Sequence, residues 1–247
     1  METPPPSHHS ATAGATGGAA RSAYRSARAG VTTVAAGLTI AWIALVVWVN
    51  ADAPGVPAID SSLHGWALDH RTDVTIQVAR VVSWFGQTTI TLPLIVLGAL
   101  AATASTRRFG RLRAAALLFA MGAVGTAVGL AINMLVGRVR PPRGDWAGAA
   151  GGFALPSGHT TAATIAAGLI AWSVTRRLRT TPARAAVWVA AVAWAAAVGW
   201  SRVWLGVHWP TDVLCGWLFA ASFLLAARAV QLTWWPTDAP PKPVLDH

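Results

Sequence analysis

The feature that most constrains the fold is a succession of apolar runs, each close to the length of a membrane-crossing helix. Six such runs occur within 247 residues, separated by short polar or arginine-rich segments. A helix needs about 20 mainly apolar residues to cross the hydrocarbon core, and it satisfies its own backbone hydrogen bonds where water is absent. The sequence therefore predicts an all-α, polytopic membrane bundle of six transmembrane helices. The predicted spans are residues 31–49, 88–104, 112–136, 160–174, 185–199 and 213–230.

The composition of the chain agrees with a membrane protein. Charged residues make up 11% of the chain and hydrophobic residues 54%, whereas a soluble domain usually has about 25% charged residues. A formal net charge of +10 is also found in nucleic-acid-binding proteins. Here, however, the arginines fall between the apolar runs, which is typical of membrane topology. We therefore expect the lipid bilayer, and no nucleic acid, as a partner.

The ends of the chain differ in composition from its apolar middle. Residues 1–28 are rich in Pro, Ser, Thr, Gly and Ala, which predicts a disordered tail. Residues 233–247 form a second predicted tail, so the membrane domain is expected over residues 29–232. The first apolar run precedes an Ala51-Asp52-Ala53 sequence that resembles a signal-peptidase site. Because a cleaved signal has an apolar region of only about 7–15 residues, a retained helix is predicted.

Residues 51–86, between the first two runs, are less apolar and carry hydrophobic residues at helical spacing. This pattern predicts one or two short amphipathic helices at the membrane interface. His64 and His70 belong to this segment and are interpreted as surface histidines.

The distribution of positive charge predicts the orientation, because cytoplasmic loops carry an excess of Lys and Arg. With both termini in the cytoplasm, thirteen of the 19 Lys and Arg residues lie on the cytoplasmic side. The six on the outer side are Arg71, Arg80, Arg138, Arg140, Arg143 and Arg202. The amphipathic helices and the two most polar loops, residues 138–159 and 201–212, then share the outer face of a bacterial inner membrane.

The loop of residues 138–159 has the features of an anion site. Three arginines lie within residues 138–143, and Ser157-Gly158-His159 directly precede the next predicted helix. The guanidinium group matches phosphate oxygens, and a helix N-terminus offers free N–H groups and a positive dipole end. A basic loop attracted to anionic lipid headgroups is the simpler alternative. Residues 148–152 are expected to give the loop freedom to admit a substrate.

The loop of residues 201–212 adds a candidate nucleophile. His208 and Asp212 are four residues apart, the spacing at which side chains meet on one helix face. A carboxylate that holds an imidazole in one tautomer makes it a better base or nucleophile. His159 is then a candidate acid for the leaving oxygen, and Arg202 adds charge for a phosphate. The alternative is a helix cap with a passive ion pair.

Three motifs in these loops carry a family resemblance. They are Arg140-Pro141, Pro156-Ser157-Gly158-His159, and Ser201-Arg202-x5-His208-x3-Asp212. In order and position, they resemble the signature of the type-2 phosphatidic acid phosphatase family, which shares its site with vanadium haloperoxidases. The resemblance covers about residues 60–230. It implies a membrane bundle of six helices and a phosphatase that needs no metal or other cofactor.

The resemblance also implies a role for each motif residue. His208 is the implied nucleophile that forms a phosphohistidine, Asp212 orients it, and His159 is the acid that releases the alcohol. The residues implied to bind the phosphoryl oxygens are Arg140, Ser157, Gly158 and Arg202.

One position departs from the family pattern. The first family motif opens with a lysine seven residues before the Arg-Pro arginine, and here that position is Asn133. A charge-assisted hydrogen bond contributes roughly 1.5–3 kcal/mol, so Asn133 is expected to weaken phosphate binding unless Arg138 or Arg143 replaces the charge. Asn133 and Arg138 are therefore included, as a hypothesis, among the phosphate-binding residues.

The expected function is a metal-independent lipid phosphatase that faces outward. Its expected substrate is a phosphate or diphosphate monoester: phosphatidate, phosphatidylglycerol phosphate, or a polyprenyl diphosphate such as undecaprenyl diphosphate. One alternative is a non-catalytic or weakened protein that binds or translocates a lipid phosphate, which Asn133 favours and the intact histidines oppose. The other is a haloperoxidase, which the six apolar runs oppose because those relatives are soluble. The sequence indicates no protein partner.

Overall fold

The computed structural model describes residues 9–51, 56–103 and 108–234, and this part of the chain is helical without a β-strand. The predicted all-α class is confirmed. A 3-10 turn at Arg143–Asp145 precedes the sixth α-helix. The α-helices are α1 (His9–Ala51), α2 (Ala58–His70), α3 (Asp73–Trp84), α4 (Thr88–Ala102), α5 (Arg108–Val136), α6 (Gly158–Thr175), α7 (Thr181–Trp204) and α8 (Pro210–Trp234).

Helix α1 begins at His9, within the segment for which a disordered tail was predicted. Alanine recurs through this stretch, and alanine is the residue that most favours a helix. Residues 1–8 and 235–247 lie outside the described residues. The limits of the membrane domain, residues 29–232, therefore stay a prediction.

The chain divides into two compact units. One contains α1 as far as Gly37 together with α8 from Leu225 onwards, and the other contains residues 38–224. Every candidate site residue belongs to the second unit. The packing and the site described below lie within that unit.

Four helices of the described chain are long and apolar enough to cross a membrane. Helices α3 and α4 form a fifth candidate if they act as one span, because they pass the same test together and meet at a bend of 54°. The count of six spans is not confirmed. Helix α6 is absent from this set, since its 18 residues include a histidine, four threonines and a serine. The four are Tyr24–Ala51, Arg108–Val136, Thr181–Trp204 and Pro210–Thr233.

Helix α6 occupies the core of the second unit. It packs against α4, α5 and α7. Its residues Ile165, Ala166 and Leu169 are buried with Ile95 of α4 and Ala220 of α8. Small residues in α6 let the neighbouring backbones approach closely. Packing along its length therefore fixes the position of the helix N-terminus.

The short helices α2 and α3 occupy the segment predicted to be amphipathic. Helix α3 begins with a capping box in which Thr72 and Thr75 exchange hydrogen bonds between side chain and backbone. Both helices pack against α7. His64 of α2 is buried, so its interpretation as a surface residue was wrong. The position of these helices on the outer face stays a prediction.

Three glycines on α5 make close helix packing possible. Gly122, Gly125 and Gly129 are all buried. A Cβ atom added at Gly125 would lie 2.7 Å from Ile165 Cδ1 of α6 and 2.8 Å from Phe223 Cε1 of α8. The side chains of two neighbouring helices thus fill the space above this glycine.

We expect Gly125→Val to destabilise the fold, because inserting carbon atoms into a packed interior typically costs about 1–3 kcal/mol. Thermal unfolding of the detergent-purified protein should show a lower Tm for this variant. The matched control is Val124→Leu, since the Val124 side chain is 55% exposed and should tolerate an extra methylene. Equal Tm values for the two variants would contradict this account of the packing.

Candidate active site

A cavity of about 200 Å³ lies where the two polar loops meet. Among the described residues, its lining includes Arg140, His159, Arg202 and His208. Arg140 and His159 come from the first loop, Arg202 from the end of α7, and His208 from the turn before α8. The structure therefore brings together residues that lie almost 70 positions apart in the sequence.

His208 presents a lone pair to this cavity. Its ring is buried, and its Nε2 atom lies 2.8 Å from Nη1 of Arg140. A guanidinium group has donors but no acceptor, so Nε2 accepts this hydrogen bond and the ring proton is on Nδ1. Nδ1 lies 3.4 Å from Oδ2 of Asp212. The carboxylate thus faces the protonated nitrogen, and the opposite nitrogen has the form that a nucleophile or base requires.

Both imidazoles of the cavity are neutral near pH 7. Burial lowers the pKa of His208 well below its usual value, the charges of Arg140 and Arg202 lower it further, and a hydrogen bond with the backbone of Ala154 opposes these effects. Burial, followed by the charge of Arg202, lowers the pKa of His159 to about 3. Burial and the two arginine charges therefore both disfavour protonation of these rings.

Three backbone carbonyl groups hold Arg140. Its Nη2 donates to Gly151 O at 2.8 Å, its Nε to Gly152 O at 3.1 Å, and its Nη1 to Val207 O at 2.7 Å. Nη1 also contacts His208, as described above. Such a set of contacts fixes the plane of the guanidinium before any ligand binds.

Arg202 is held in a similar way from two sides. Its Nη1 donates to the hydroxyl oxygen of Ser83 at 2.6 Å, and its Nη2 to Ala149 O at 3.3 Å. The side chain is almost completely buried. Backbone carbonyl groups of residues 149–152 therefore position both cavity arginines. The conformational freedom expected of this loop stays a prediction.

The start of α6 contributes backbone donors to the cavity. Gly158 lines the cavity, and a helix start leaves N–H groups without a helical partner. The side chain of Ser157 is fully buried and accepts a hydrogen bond from the Thr160 hydroxyl at 2.9 Å. Ser157 N–H donates to the backbone carbonyl of Asp212 at 3.1 Å. Ser157 thus ties α6 to α8, while Gly158 is the member of the pair that reaches the cavity.

Asp212 both caps helix α8 and contacts His208. Its Oδ2 accepts from the backbone N–H of Trp209 at 2.8 Å, as an acidic residue in a first helical turn does when it caps the helix. The same oxygen faces His208, and Oδ1 accepts from Nη1 of Arg138 at 2.5 Å. The cap that sequence analysis left open as an alternative is therefore present together with the contact to the histidine.

Arg138 is directed into a buried ionic cluster. Its Nη1 donates to Asp212 and, at 2.8 Å, to the Thr211 hydroxyl, while its Nη2 donates to Asp60 Oδ2 at 2.7 Å. Arg138 is not among the described residues that line the cavity. Its contacts do not support the hypothesis that it replaces the family lysine at Asn133.

Asn133 lines the cavity, but its amide group binds the protein backbone. Nδ2 donates to Phe153 O at 2.9 Å and to Pro156 O at 3.3 Å, and Oδ1 accepts from Phe153 N–H at 3.3 Å. These contacts tie α5 to the turn that leads into α6. Both amide hydrogens are used, so the side chain fastens this turn and adds no charge to the cavity.

Arg143, the other proposed substitute for the lysine, lies over the ring of Trp146 at 5.8 Å from the centroid. It is also absent from the described lining of the cavity. Within that lining, Arg140 and Arg202 supply the permanent positive charge.

Two polar residues that hold arginines of the site were not identified from the sequence. Ser83 holds Arg202, and Asp60 holds Arg138. Asp60 is four residues before His64 on α2, so the two side chains lie on the same helical face. This spacing was a sequence signal that could have drawn attention to Asp60. No comparable signal pointed to Ser83, because its contact joins residues that are 119 positions apart.

The family comparison agrees with this geometry. The model of the PAP2 superfamily matches residues 113–236, half of the chain, and this segment contains Arg140, His159, Arg202, His208 and Asp212. The chain belongs to the PAP2 superfamily.

Two individual relatives extend the comparison. An undecaprenyl-diphosphatase of Sulfolobus acidocaldarius is 38% identical over 74 residues, which are 29% of this chain and 32% of that protein. The alignment therefore spans about a third of the relative. The crystal structure of a transmembrane PAP2-type phosphatidylglycerolphosphate phosphatase from Bacillus subtilis has a TM-score of 0.72 at 22% identity, covering 81% of this chain and 96% of that one. It shows that the fold is a transmembrane PAP2 fold, as expected of a multi-pass membrane protein.

We expect Gly152→Ala to disturb the support of Arg140. Gly152 has a φ of +66°, and a residue with a Cβ in this conformation costs roughly 1–2 kcal/mol. The Gly152 carbonyl accepts from Arg140, so the variant should lose the phosphatase activity proposed for this protein as well as stability. Gly144→Ala is the control, because a Cβ there meets nothing within 4 Å. If both variants matched the wild type in Tm and activity, the loop would not position Arg140.

We also expect anion binding to draw a proton onto His159. An anion between Arg140 and Arg202 offsets the charges that lower the pKa of His159, so that pKa rises on binding. Between about pH 3 and the usual histidine pKa of about 6.5, sulfate binding should therefore be accompanied by proton uptake. Calorimetry at pH 5 in buffers with different ionisation enthalpies measures this uptake. His159→Gln should reduce it, and equal uptake in both proteins would contradict the assignment.

Proposed function

We propose that this protein is a lipid phosphatase that hydrolyses a phosphate or diphosphate monoester of a membrane lipid at the outer face of the membrane, through a phosphohistidine formed on His208. The observation that carries the proposal is the lone pair of His208 Nε2, which faces a cavity lined by Arg140, Arg202 and His159. Two fixed guanidiniums, a neutral nucleophile and a second histidine are the groups that phosphoryl transfer requires.

In the first step, the phosphoryl group enters between Arg140 and Arg202. Its oxygens take over the Nη1 hydrogen bond that Arg140 now makes to His208, which frees Nε2 to attack phosphorus. The N–P bond forms as the bond from phosphorus to the leaving oxygen breaks. Protonated His159 transfers its proton to that oxygen, and Asp212 stabilises the positive charge that develops on the His208 ring.

In the second step, a water molecule attacks the phosphorus atom of the phosphohistidine. The now neutral His159 accepts a proton from this water. The N–P bond breaks, its electron pair returns to Nε2, and inorganic phosphate leaves. His208 and Arg140 then restore their hydrogen bond, and the residues named here complete both steps without a metal.

The cavity wall formed by α5 supports a lipid substrate. Thr126, Gly129, Leu130 and Asn133 all line the cavity, and their spacing places them on one helix face. Because α5 is itself a candidate membrane span, this wall provides a path along which a hydrocarbon chain leaves the phosphate site. Phosphatidate, phosphatidylglycerol phosphate and undecaprenyl diphosphate are the proposed substrates, and the latter two agree with the names of the two relatives.

The outer-face location rests on the charge distribution of the loops. With the six predicted spans, thirteen Lys and Arg residues fall on the side of the termini, and loops rich in Lys and Arg tend to remain in the cytoplasm. We propose a bacterial inner membrane with both termini in the cytoplasm and the cavity on the opposite face. A polyprenyl diphosphate carrier that is recycled at the outer leaflet fits this arrangement.

The test is release of inorganic phosphate from the three lipids by the detergent-purified protein with EDTA present. His208→Ala should abolish release, and His159→Asn should slow it by about 10²–10⁴-fold. Acid-labile phosphate should accumulate on the wild type with labelled substrate and be absent from His208→Ala. The control is His70→Ala, because His70 is an exposed histidine on α2 and should not affect release.

The non-catalytic alternative has one structural observation in its favour. Asn133 supplies no charge where the family has a lysine, and both of its amide hydrogens bind backbone carbonyls. No release from any lipid by a folded protein that still binds these lipids would support a binding or translocating role. Asn133→Lys would then be the first variant to measure.

A further inference from the structure

We propose that Asp60 is a positioning residue for the reaction at His208, and that it acts through Arg138 on Asp212. This inference rests on the proposed phosphohistidine function. It concerns a residue of α2, which lies before the segment that matches the family and outside the three motifs.

The carboxylate of Asp60 is enclosed by three donors. It is fully buried, with 0% exposure. Its Oδ1 accepts from the backbone N–H of Thr211 at 2.9 Å, and its Oδ2 accepts from the Thr211 hydroxyl at 2.6 Å and from Arg138 Nη2 at 2.7 Å. Helix α2 is thereby attached to the first turn of α8, directly beside Asp212.

Asp60 fixes the position of Arg138 from the side opposite Asp212. The guanidinium bridges two buried carboxylates, with Nη2 on Asp60 and Nη1 on Asp212. The Thr211 hydroxyl, which donates to Asp60 and accepts from Arg138 Nη1 at 2.8 Å, closes the network. A long side chain held at both ends of its fork has little rotational freedom. Asp212, in turn, keeps a fixed orientation towards His208.

The network also has an electrostatic consequence for His208. Arg138 and Asp212 alone would form a neutral pair, and the carboxylate of Asp60 adds one surplus negative charge on the Asp212 side of the ring. Phosphoryl transfer to Nε2 makes that ring positive, whereas Arg140 and Arg202 face it with positive charge from the cavity. A buried negative charge is worth more than one in water, so Asp60 favours the phosphorylated state.

A purely structural ion network is the competing explanation, because breaking a buried pair is destabilising by itself. The two roles differ in what they predict. A structural role lowers Tm and the yield of active protein, whereas a positioning role lowers the rate constant of phosphoryl transfer in molecules that are folded and bind substrate. The experiment therefore measures kcat and KM separately, together with Tm.

The variant is Asp60→Asn, and its matched control is Asp69→Asn, an exposed aspartate on the same helix. We expect Asp60→Asn to lower kcat about tenfold to a hundredfold, the range of coupling between residues of one buried network. KM should stay within about threefold, since the phosphate ligands Arg140 and Arg202 are not altered. Formation of the acid-labile phosphoenzyme should slow by the same factor as kcat. Asp69→Asn should match the wild type.

A double-mutant cycle tests whether Asp60 acts through Arg138. In an Arg138→Gln background, Asp60→Asn should cause little further loss of kcat, because the residue that transmits its effect is already absent. Wild-type kcat in folded Asp60→Asn, or losses that multiply in the double variant, would overturn the inference.

A second variant keeps the inference testable if Asp60→Asn does not fold. Thr211→Val removes the hydroxyl that joins Asp60 to Arg138 and leaves both charges in place. It should lower kcat in the same direction by a smaller factor, and an unchanged kcat would again overturn the inference. Failure of the proposed function is distinguishable, since the wild type would then release no phosphate and form no phosphoenzyme.

Discussion

The contacts of Asp212 are the ones on which the geometry of the site depends. One oxygen of its carboxylate faces His208 and caps α8, the other binds Arg138, and its backbone carbonyl binds the N-cap residue of α6. A single residue therefore connects His208, the proposed nucleophile, with the buried ionic cluster and the start of α6. Because these contacts share one short turn, a displacement of Asp212 would disturb all of them together.

The described residues that line the cavity include the positively charged Arg140 and Arg202 and no carboxylate. Arg140 and Arg202 are held by backbone carbonyls and a serine hydroxyl, which orient their guanidiniums while leaving the net charge in place. Buried charge without a counterion is unfavourable, and a phosphoryl group relieves this cost on binding. Burial, together with this charge, lowers the pKa of His159. In the proposed reaction, an anion that offsets the charge allows His159 to take up a proton.

Much of the fold was readable in the sequence because a membrane-crossing helix needs a long apolar run. The runs at residues 112–136 and 213–230 lie within α5 and α8. For helix α6, the apolar pattern of the sequence is less informative about the role of the helix. A central helix buried by protein tolerates threonines that a lipid-facing helix would not, so hydropathy alone does not define its role.

The residues of the candidate site also divide into those that the sequence predicted and those that only the structure revealed. His208, Asp212, His159, Arg140 and Arg202 were identified because the reaction demands those chemical groups, and the structure brings all five together. Arg138 contacts Asp60 and Asp212 instead of lining the cavity, and Asp60 was not identified from the sequence. Which arginine of the Arg138–Arg143 segment faces the cavity depends on what lies around each side chain. Asp60, which binds Arg138, and His208, which contacts Arg140, are each more than 60 positions away in the chain.

The sequence by itself determined the class of fold and the chemical groups available to the site, since apolar length and residue type are local properties. Only the tertiary structure decided that Arg140 contacts His208 whereas Arg138 joins two aspartates, that Asn133 fastens a backbone turn, and that the ring proton of His208 faces Asp212. Each of these depends on the direction of a side chain within a packed interior. That direction is set by contacts between segments far apart in the chain, which no local pattern records.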